Sequence, residues 1–184
     1  MIFLQIIQEK KSNQTYKRKL LTIMFTDMKD YSKKMNMDED RAIYTLQKHN
    51  EIMISAISEF YGKIIETSGD GYLVSFESAV NAVECASFLQ NRLRDYNKNL
   101  SDTERIEIRI GVHLGDVLEF EDKLKGDTLN ITARIQQNTS PGKTHVSRSV
   151  FDAVKNKVNF SFACLGEQKF KNIQETIEIY EIRN

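Results

Sequence analysis

Two patterns of apolar and polar residues organise the first half of this chain. Residues 20–25 form an apolar run rich in β-branched and aromatic side chains, and the polar pair Thr26-Asp27 follows it. Such a run is typical of a buried strand with Asp27 at its C-terminal end. Further along, two short apolar arms flank Ser68-Gly69-Asp70-Gly71. This pattern predicts a hairpin with Asp70 at its tip, because glycine permits the positive φ angles of a chain reversal.

Asp27 and Asp70 form the first candidate site. If the hairpin pairs beside the first strand, the two carboxylates project from neighbouring backbone ends. Proteins hold hard divalent cations such as Mg²⁺ in this way. The alternative is a structural role, since aspartates are common in turns and at strand ends. The pair therefore needs support from further residues.

Periodicity divides the rest of the chain into helices and strands. Helical spacing and capping residues predict four helices, at residues 38–61, 78–96, 126–137 and 147–154. Alternation predicts strands at 106–112, at 117–120 after a turn at Gly115-Asp116, at 144–147, and on either side of Leu165-Gly166-Glu167. Residues 28–37 are predicted to form a loop.

The order of these elements indicates a mixed chain in which antiparallel strand pairs predominate. A sheet covered by helices on one face is favoured over a doubly wound parallel sheet. The length of 184 residues predicts one domain, residues 20–184, after an N-terminal extension, residues 1–19.

Composition excludes several classes of partner. The chain has 26 basic and 26 acidic residues, so no excess charge favours nucleic acid or an anionic membrane. Cys85 and Cys164 lie in apolar surroundings without metal-like spacing, which indicates a reduced, cytoplasmic protein. Residues 1–7 are too short to span a bilayer and lack the features of a signal peptide. We therefore expect no nucleic-acid partner and no membrane insertion.

Asn130 and Arg134 form a second candidate site. They lie four residues apart on the predicted helix 126–137 and hence on one face of it. An amide beside a guanidinium makes a fork for phosphate or ribose oxygens. The alternative is an exposed helix face with a solvated arginine.

Five segments together resemble one family. They are Phe25–Met28, Glu66–Gly71, Ile110–Val117, Gly126–Arg134 and Leu165–Asn172. They are similar to the catalytic domain of the class III nucleotidyl cyclases, the adenylate and guanylate cyclases, and to bacterial members of the stand-alone type. The resemblance extends over about residues 19–182, which is nearly the whole chain.

The resemblance implies an α+β fold with a ferredoxin-like core, in which helices pack on a mixed, mainly antiparallel sheet. It also implies a head-to-tail homodimer with two composite active sites at the interface. In each site Asp27, Asp70 and the carbonyl of Met28 would hold two Mg²⁺ or Mn²⁺ ions. One ion would lower the pKa of the ribose 3′-hydroxyl, and the other would neutralise the departing pyrophosphate.

The other subunit would supply the remaining groups of each site. The resemblance implies that Asn130 orients the ribose and that Arg134 meets charge on the α-phosphate. Lys171 aligns with a lysine that contacts the terminal phosphates. The substrate would be a nucleoside triphosphate, and the products a 3′,5′-cyclic nucleotide for intracellular signalling and pyrophosphate.

Glu66 and Lys123 are expected to select the base, and both depart from the adenylate cyclase pattern of lysine and then aspartate or threonine. Glu66 can accept from N1–H and the 2-amino group of guanine, while Lys123 can donate to O6. Glutamate resembles the guanylate cyclases, whereas lysine does not resemble their usual cysteine. GTP is therefore the favoured substrate. The alternative substrates are UTP or CTP, as in the pyrimidine cyclases of bacterial anti-phage signalling, and ATP. A further alternative is that Glu66 and Lys123 only pair with each other and do not contact the base.

Two functions from different classes follow from the resemblance. An active cyclase is favoured because every residue needed for the metal ions and the transition state is present. The alternative is a catalytically inactive nucleotide-binding or dimerisation module, in which the unusual Glu66 and Lys123 reflect a lost fit to substrate.

Overall fold

One sheet of eight strands runs through the computed structural model, which describes residues 16–183. The strands are β1 (Lys17–Met28), β2 (Lys63–Ser68), β3 (Gly71–Phe76), β4 (Ile108–Phe120), β5 (Lys123–Lys125), β6 (Thr144–Ser147), β7 (Ser161–Gln168) and β8 (Ile177–Arg183). Their order is β2-β3-β1-β4-β6-β8-β7, and β5 pairs with β4. Only β4 and β6 pair in parallel within this sheet of the described residues. The prediction of a mixed, mainly antiparallel sheet is confirmed.

Five α-helices accompany the sheet within the described part of the chain. They are α1 (Tyr31–Met37), α2 (Glu39–Glu59), α3 (Ala79–Tyr96), α4 (Asp127–Gln137) and α5 (Arg148–Val154). The four predicted helices correspond to α2 through α5. Across residues 16–183, none of the helices has both the length and the apolar character that crossing a membrane requires.

The predicted caps of α2 and α3 explain where these helices begin. The Asp38 carboxylate accepts a hydrogen bond from the Arg41 N–H at 3.1 Å, ahead of α2. The Ser78 hydroxyl accepts one from the Asn81 N–H at 3.4 Å, ahead of α3. These bonds satisfy N–H groups that have no partner inside the helix.

Helix α1 occupies most of the segment that was predicted to be a loop, so that prediction was wrong. The helix has seven residues and no buried side chain, and no side chain caps its N-terminus. Asp30, which precedes it, is left-handed with a φ of 57°. Without an apolar stripe or a capping side chain, the sequence lacks the pattern by which a helix is recognised.

The predicted turn at Gly115-Asp116 was also wrong, because β4 continues through it to Phe120. All of β4 except its last residue pairs with β1, from Ile108 opposite Met28 to Glu119 opposite Lys17. The reversal comes at Glu121-Asp122, which have φ angles of 46° and 63°, and β5 follows.

Gly166 likewise lies inside a strand rather than between two. The register of β7 against β8 shifts between Cys164 and Gly166, and Gly166 has a φ of 81°. A glycine within a strand pattern is typical of such a β-bulge.

Helices pack on both faces of the sheet, which corrects the expectation of a single covered face. The larger core cluster joins α2, α3 and α5 to one face, where Met24 is fully buried. A second cluster on the opposite face includes Leu21, Ile23 and Leu73, with Leu129 of α4 packed against it. Because side chains alternate along a strand, β1 contributes to both clusters.

Helix α4 approaches β4 unusually closely at two glycines. A Cβ atom at Gly111 would lie 2.4 Å from the backbone nitrogen of Gln136. A Cβ atom at Gly115 would lie 2.6 Å from the hydroxyl of Thr128. A strand glycine permits such an approach of another backbone. Gly115, which was interpreted as a turn residue, therefore serves the packing of α4 against β4.

We expect Gly111→Ala to destabilise the protein by about 2 kcal/mol, because its methyl group would overlap the backbone of α4. Urea unfolding followed by circular dichroism measures the change. Gly166→Ala is the control, since a Cβ atom there has no neighbour within 4 Å. Its positive φ should still cost about 1 kcal/mol. Equal losses in the two variants would contradict the packing role of Gly111.

The buried His49 and the half-buried His113 predict a loss of stability in acid. Burial lowers the pKa of His49 and of His113 to about 4. In the unfolded chain a histidine has a pKa near 6.5, so the unfolded state binds protons that the folded state rejects. The free energy of unfolding should therefore fall between pH 6.5 and 4, by up to about 1.4 kcal/mol per pH unit for each histidine.

Urea unfolding at pH 7 and pH 5 measures this dependence. A variant with His49→Gln and His113→Gln should show a shallower dependence on pH than the unchanged protein. Its absolute stability can differ, because the comparison rests on the change between the two pH values. An unaltered dependence would contradict the assignment.

Candidate active site

Strand pairing brings Asp27 and Asp70 to the same end of the sheet. β1 pairs with β3, with Thr26 opposite Tyr72, and Asp70 lies in the turn that joins β2 to β3. The N–H of Met28 donates to the Asp70 carboxylate at 3.2 Å. The hairpin and its pairing beside the first strand are therefore as the sequence predicted.

The two carboxylates share a half-buried, electrostatically strained environment. Burial raises the pKa of Asp27, although the charge of Arg109 and a hydrogen bond from Gln136 oppose the rise. Burial also raises the pKa of Asp70, and the nearby charge of Asp27 adds to the rise. Each carboxylate is thus desolvated beside another negative charge, and positive charge at this point would stabilise both.

This donor set fits a hard divalent cation. Asp27 and Asp70 supply carboxylate oxygens, and the backbone of Met28, the residue after Asp27, contacts Asp70 through its N–H. Within residues 16–183 no cluster of three or more His, Cys, Asp or Glu side chains could hold a metal ion. Mg²⁺ commonly binds through one or two carboxylates together with substrate phosphates, so two aspartates are sufficient.

Arg109 and Gln136 flank Asp27, and the sequence did not indicate either of them. Arg109 lies directly opposite Asp27 in the β1–β4 ladder, with its Nη2 3.5 Å from the Asp27 carboxylate. The Nε atom of Arg109 is buried without a hydrogen-bond partner among the described residues. The alternation of residues 106–112 predicted that Arg109 lies on the other face of the strand from the isoleucines. Only the register of β4 against β1 brings Arg109 beside Asp27.

Glu66 lines a cavity of about 230 Å³ together with Asp27 and Gln136. Its side chain is exposed and has no ion pair within the described residues. Lys123 is exposed on β5, opposite Phe120. In this part of the chain Glu66 and Lys123 therefore do not pair with each other.

An ion pair connects the strands that carry Glu66 and Lys123. The ammonium of Lys63, at the start of β2, lies 2.5 Å from the carboxylate of Asp122. Asp122 immediately precedes β5. The pair is exposed, so it contributes little to stability, but it joins β2 to the β4–β5 hairpin.

Asn130, Arg134 and Lys171 line a separate cavity of about 250 Å³. Asn130 and Arg134 share one face of α4, as their spacing predicted, and the Arg134 guanidinium donates to the Gln137 side chain at 2.6 Å. This cavity shares no lining residue with the cavity of Asp27 and Glu66. A single chain thus presents the two predicted groups of residues on different surfaces.

The sequence is similar to known cyclase domains. A family model of the adenylate and guanylate cyclase catalytic domain matches residues 13–184. A protein of Rhizobium meliloti (strain 1021), provisionally named adenylate cyclase 3, is 33% identical over 171 residues. The match covers 92% of this chain and 29% of that protein. The chain thus spans less than a third of the length of this relative.

Solved structures share the fold. An adenylate/guanylate cyclase/hydrolase from Silicibacter pomeroyi superposes with a TM-score of 0.85 and 31% identity, over 91% of this chain and 98% of the other. The guanylate cyclase domain of RhGC from Catenaria anguillulae, solved in complex with GTP, gives a TM-score of 0.77 and 21% identity, over 91% and 98% of the two chains. The chain therefore belongs to the adenylate and guanylate cyclase catalytic domain family, the class III cyclases, whose members are lyases that make cyclic nucleotides.

Proposed function

We propose that this protein is a metal-dependent nucleotidyl cyclase that converts GTP to 3′,5′-cyclic GMP and pyrophosphate. The observation behind the proposal is that Asp27 and Asp70 lie together at the end of β1. The negative charge of Asp27 adds to burial in raising the pKa of Asp70, so a cation there would stabilise the ionised pair. Class III cyclases generally depend on divalent metal ions, which agrees with this donor set. The sequence predicted a catalytic domain of residues 20–184 after an extension of residues 1–19. We extend the domain to Lys17, where β1 begins and pairs with β4, and residues 1–15 lie outside the described part of the chain.

The active site is composite and requires two copies of the chain. Asp27 and Asp70 lie at one surface, whereas Asn130, Arg134 and Lys171 line a different cavity. A head-to-tail dimer would set the carboxylates of one copy against the second group of the other. Such a dimer has two equivalent sites, because a two-fold interface repeats each contact.

The side chains position the substrate and stabilise charge. Asn130 orients the ribose, Arg134 stabilises the charge that develops on the α-phosphate, and Lys171 binds the terminal phosphates. Asp27, Asp70 and the Met28 carbonyl hold two Mg²⁺ or Mn²⁺ ions. When bound, these ions supply acidification of the 3′-hydroxyl and neutralisation of phosphate charge. The Arg109 guanidinium, 3.5 Å from the Asp27 carboxylate, offsets part of its negative charge.

Glu66 carries the preference for guanine. Its carboxylate is exposed at a cavity and forms no ion pair with Lys123 in the described residues, so it is available as an acceptor. Guanine offers two adjacent donors, N1–H and the 2-amino group, to such an acceptor. Uracil offers one donor between two acceptors, which makes UTP the next candidate, followed by CTP and ATP.

Incubation of the purified protein with Mn²⁺ and each of the four nucleoside triphosphates tests the proposal. Mass spectrometry should detect cyclic GMP as the main product. Asp27→Ala and Asp70→Ala should each lower its formation by about 100-fold or more, because each removes a metal ligand. Both variants should remain folded by circular dichroism.

Asp102→Ala is the matched control, since the Asp102 side chain is 90% exposed and pairs only with Arg105 among the ion pairs of the described residues. Its activity should equal that of the unchanged protein. No cyclic product from any triphosphate, in a sample that is dimeric, would reject the cyclase and leave an inactive nucleotide-binding module. Full activity in either metal-ligand variant would reject the metal assignment.

The double variant Glu66→Lys with Lys123→Asp tests the choice of base. It restores the polarity that suits adenine, so the ratio of kcat/KM for GTP to that for ATP should fall by about tenfold or more. Glu175→Lys with Lys157→Asp is the control, because it makes the same two charge reversals at exposed positions outside the candidate site. An unchanged ratio in the double variant would remove both residues from base selection.

A further inference from the structure

Gln136 is a buried glutamine in the last turn of α4, and it lies next to Asp27. Its side chain is mostly enclosed, with the residue only 7% exposed. Gln136 and Asp27 line the same cavity, which places the Gln136 amide near the Asp27 carboxylate. The amide acts as a donor that partly offsets the rise in the pKa of Asp27 caused by burial. A glutamine amide can donate two hydrogen bonds, while an ionised carboxylate can only accept.

The backbone of Gln136 packs directly against β4 because Gly111 has no side chain. A Cβ atom at Gly111 would lie only 2.4 Å from the backbone nitrogen of Gln136. Gly111 lies opposite Phe25 in the β1–β4 ladder, and Phe25 is two residues before Asp27 on β1. The last turn of α4 therefore rests directly on the strand pair that ends at Asp27.

Uncharged donors lie beside both carboxylates. Asp70 accepts from the backbone N–H of Met28 at 3.2 Å, a donor that does not depend on the Met28 side chain. Asp27 accepts from Gln136, which is a side chain. The Arg109 guanidinium approaches Asp27 only to 3.5 Å. An uncharged donor restrains a carboxylate while leaving oxygen lone pairs free to bind a cation. In metal sites, residues that hydrogen-bond to the metal ligands orient them in the same way.

We infer that Gln136 is a positioning residue that holds the Asp27 carboxylate of its own chain in the orientation required for metal binding. The inference rests on the proposed function. In the proposed dimer, Gln136 then acts on the active site that receives Asp27 from the same chain. Asn130 and Arg134, on the same helix, contribute to the other active site.

Binding of Mn²⁺ alone, followed by electron paramagnetic resonance without nucleotide, is the first test. Gln136→Leu keeps the size of the side chain and removes the donor, so we expect affinity for Mn²⁺ to fall by about tenfold. Gln136→Asn keeps the amide and should lose less. Gln47→Leu, on an exposed position of α2, controls for the change of glutamine to leucine. Unchanged Mn²⁺ affinity in a folded Gln136→Leu protein would overturn the inference.

Mixed dimers provide the second test, which distinguishes an action on Asp27 from a general effect on α4. A chain with D27A and a chain with R134A are each inactive as homodimers. After exchange of subunits, about one quarter of the activity should return, because half of the dimers are mixed and each has one intact site. In that site the R134A chain supplies Asp27 and the D27A chain supplies Arg134.

Gln136→Leu is then introduced into one chain of the mixture at a time. In the R134A chain it should lower the recovered activity by about tenfold, and in the D27A chain by less than about twofold. Equal losses in both chains would overturn the inference, because Gln136 would then act through the fold of α4. If the mixture without Gln136→Leu recovers no activity, the composite dimer is rejected, and the Mn²⁺ titration still decides the role of Gln136.

Discussion

The pairing of β1 with both β3 and β4 is the interaction on which the candidate site depends. One neighbour places the Asp70 turn beside the end of β1, and the other places Arg109 opposite Asp27. A slip of one residue in either ladder would turn Asp27 to the opposite face of the sheet. The alternate burial of Ile23 and Met24, both 0% exposed, holds the register, because a slip would exchange the two hydrophobic faces.

Helix α4 connects the parts of the site that one chain provides. Its contact with β4 is formed by glycines and polar side chains, whose hydrogen bonds are satisfied within the contact. Thr128 donates to the carbonyl of Asp116 at 2.6 Å, and Thr132 donates to the carbonyl of Thr128 at 2.6 Å. This seam holds the helix against the backbone of the sheet, so that Gln136 reaches Asp27 while Asn130 and Arg134 face another cavity.

The carboxylate pair favours function over local stability. Two desolvated acids at the end of a strand repel each other, and burial raises the pKa of both. The surrounding donors relieve this repulsion in part, through the Met28 N–H, Arg109 and Gln136. A protein that used this corner only for packing would be more stable with apolar side chains there. The divalent cation that we propose would relieve the repulsion between the two acids.

Local patterns predicted much of this fold correctly. The caps of α2 and α3, the Asp70 hairpin and the common face of Asn130 and Arg134 each depend on residues that are close in sequence. Helix α1 was missed because it buries no side chain, and the turn at Gly115 was wrong because a glycine can serve packing as well as reversal. Both errors arise where the local pattern permits two structures and distant contacts decide between them.

The sequence by itself indicated the residues that we propose to carry the chemistry, since Asp27, Asp70, Asn130 and Arg134 stand in motifs that resemble those of the class III cyclases. Only the tertiary structure decided which of them meet. Strand register brought Arg109 to Asp27, and the two glycines of β4 let α4 carry Gln136 to the same carboxylate. Contacts between residues far apart in the chain follow from pairing and close packing, and no local periodicity records them.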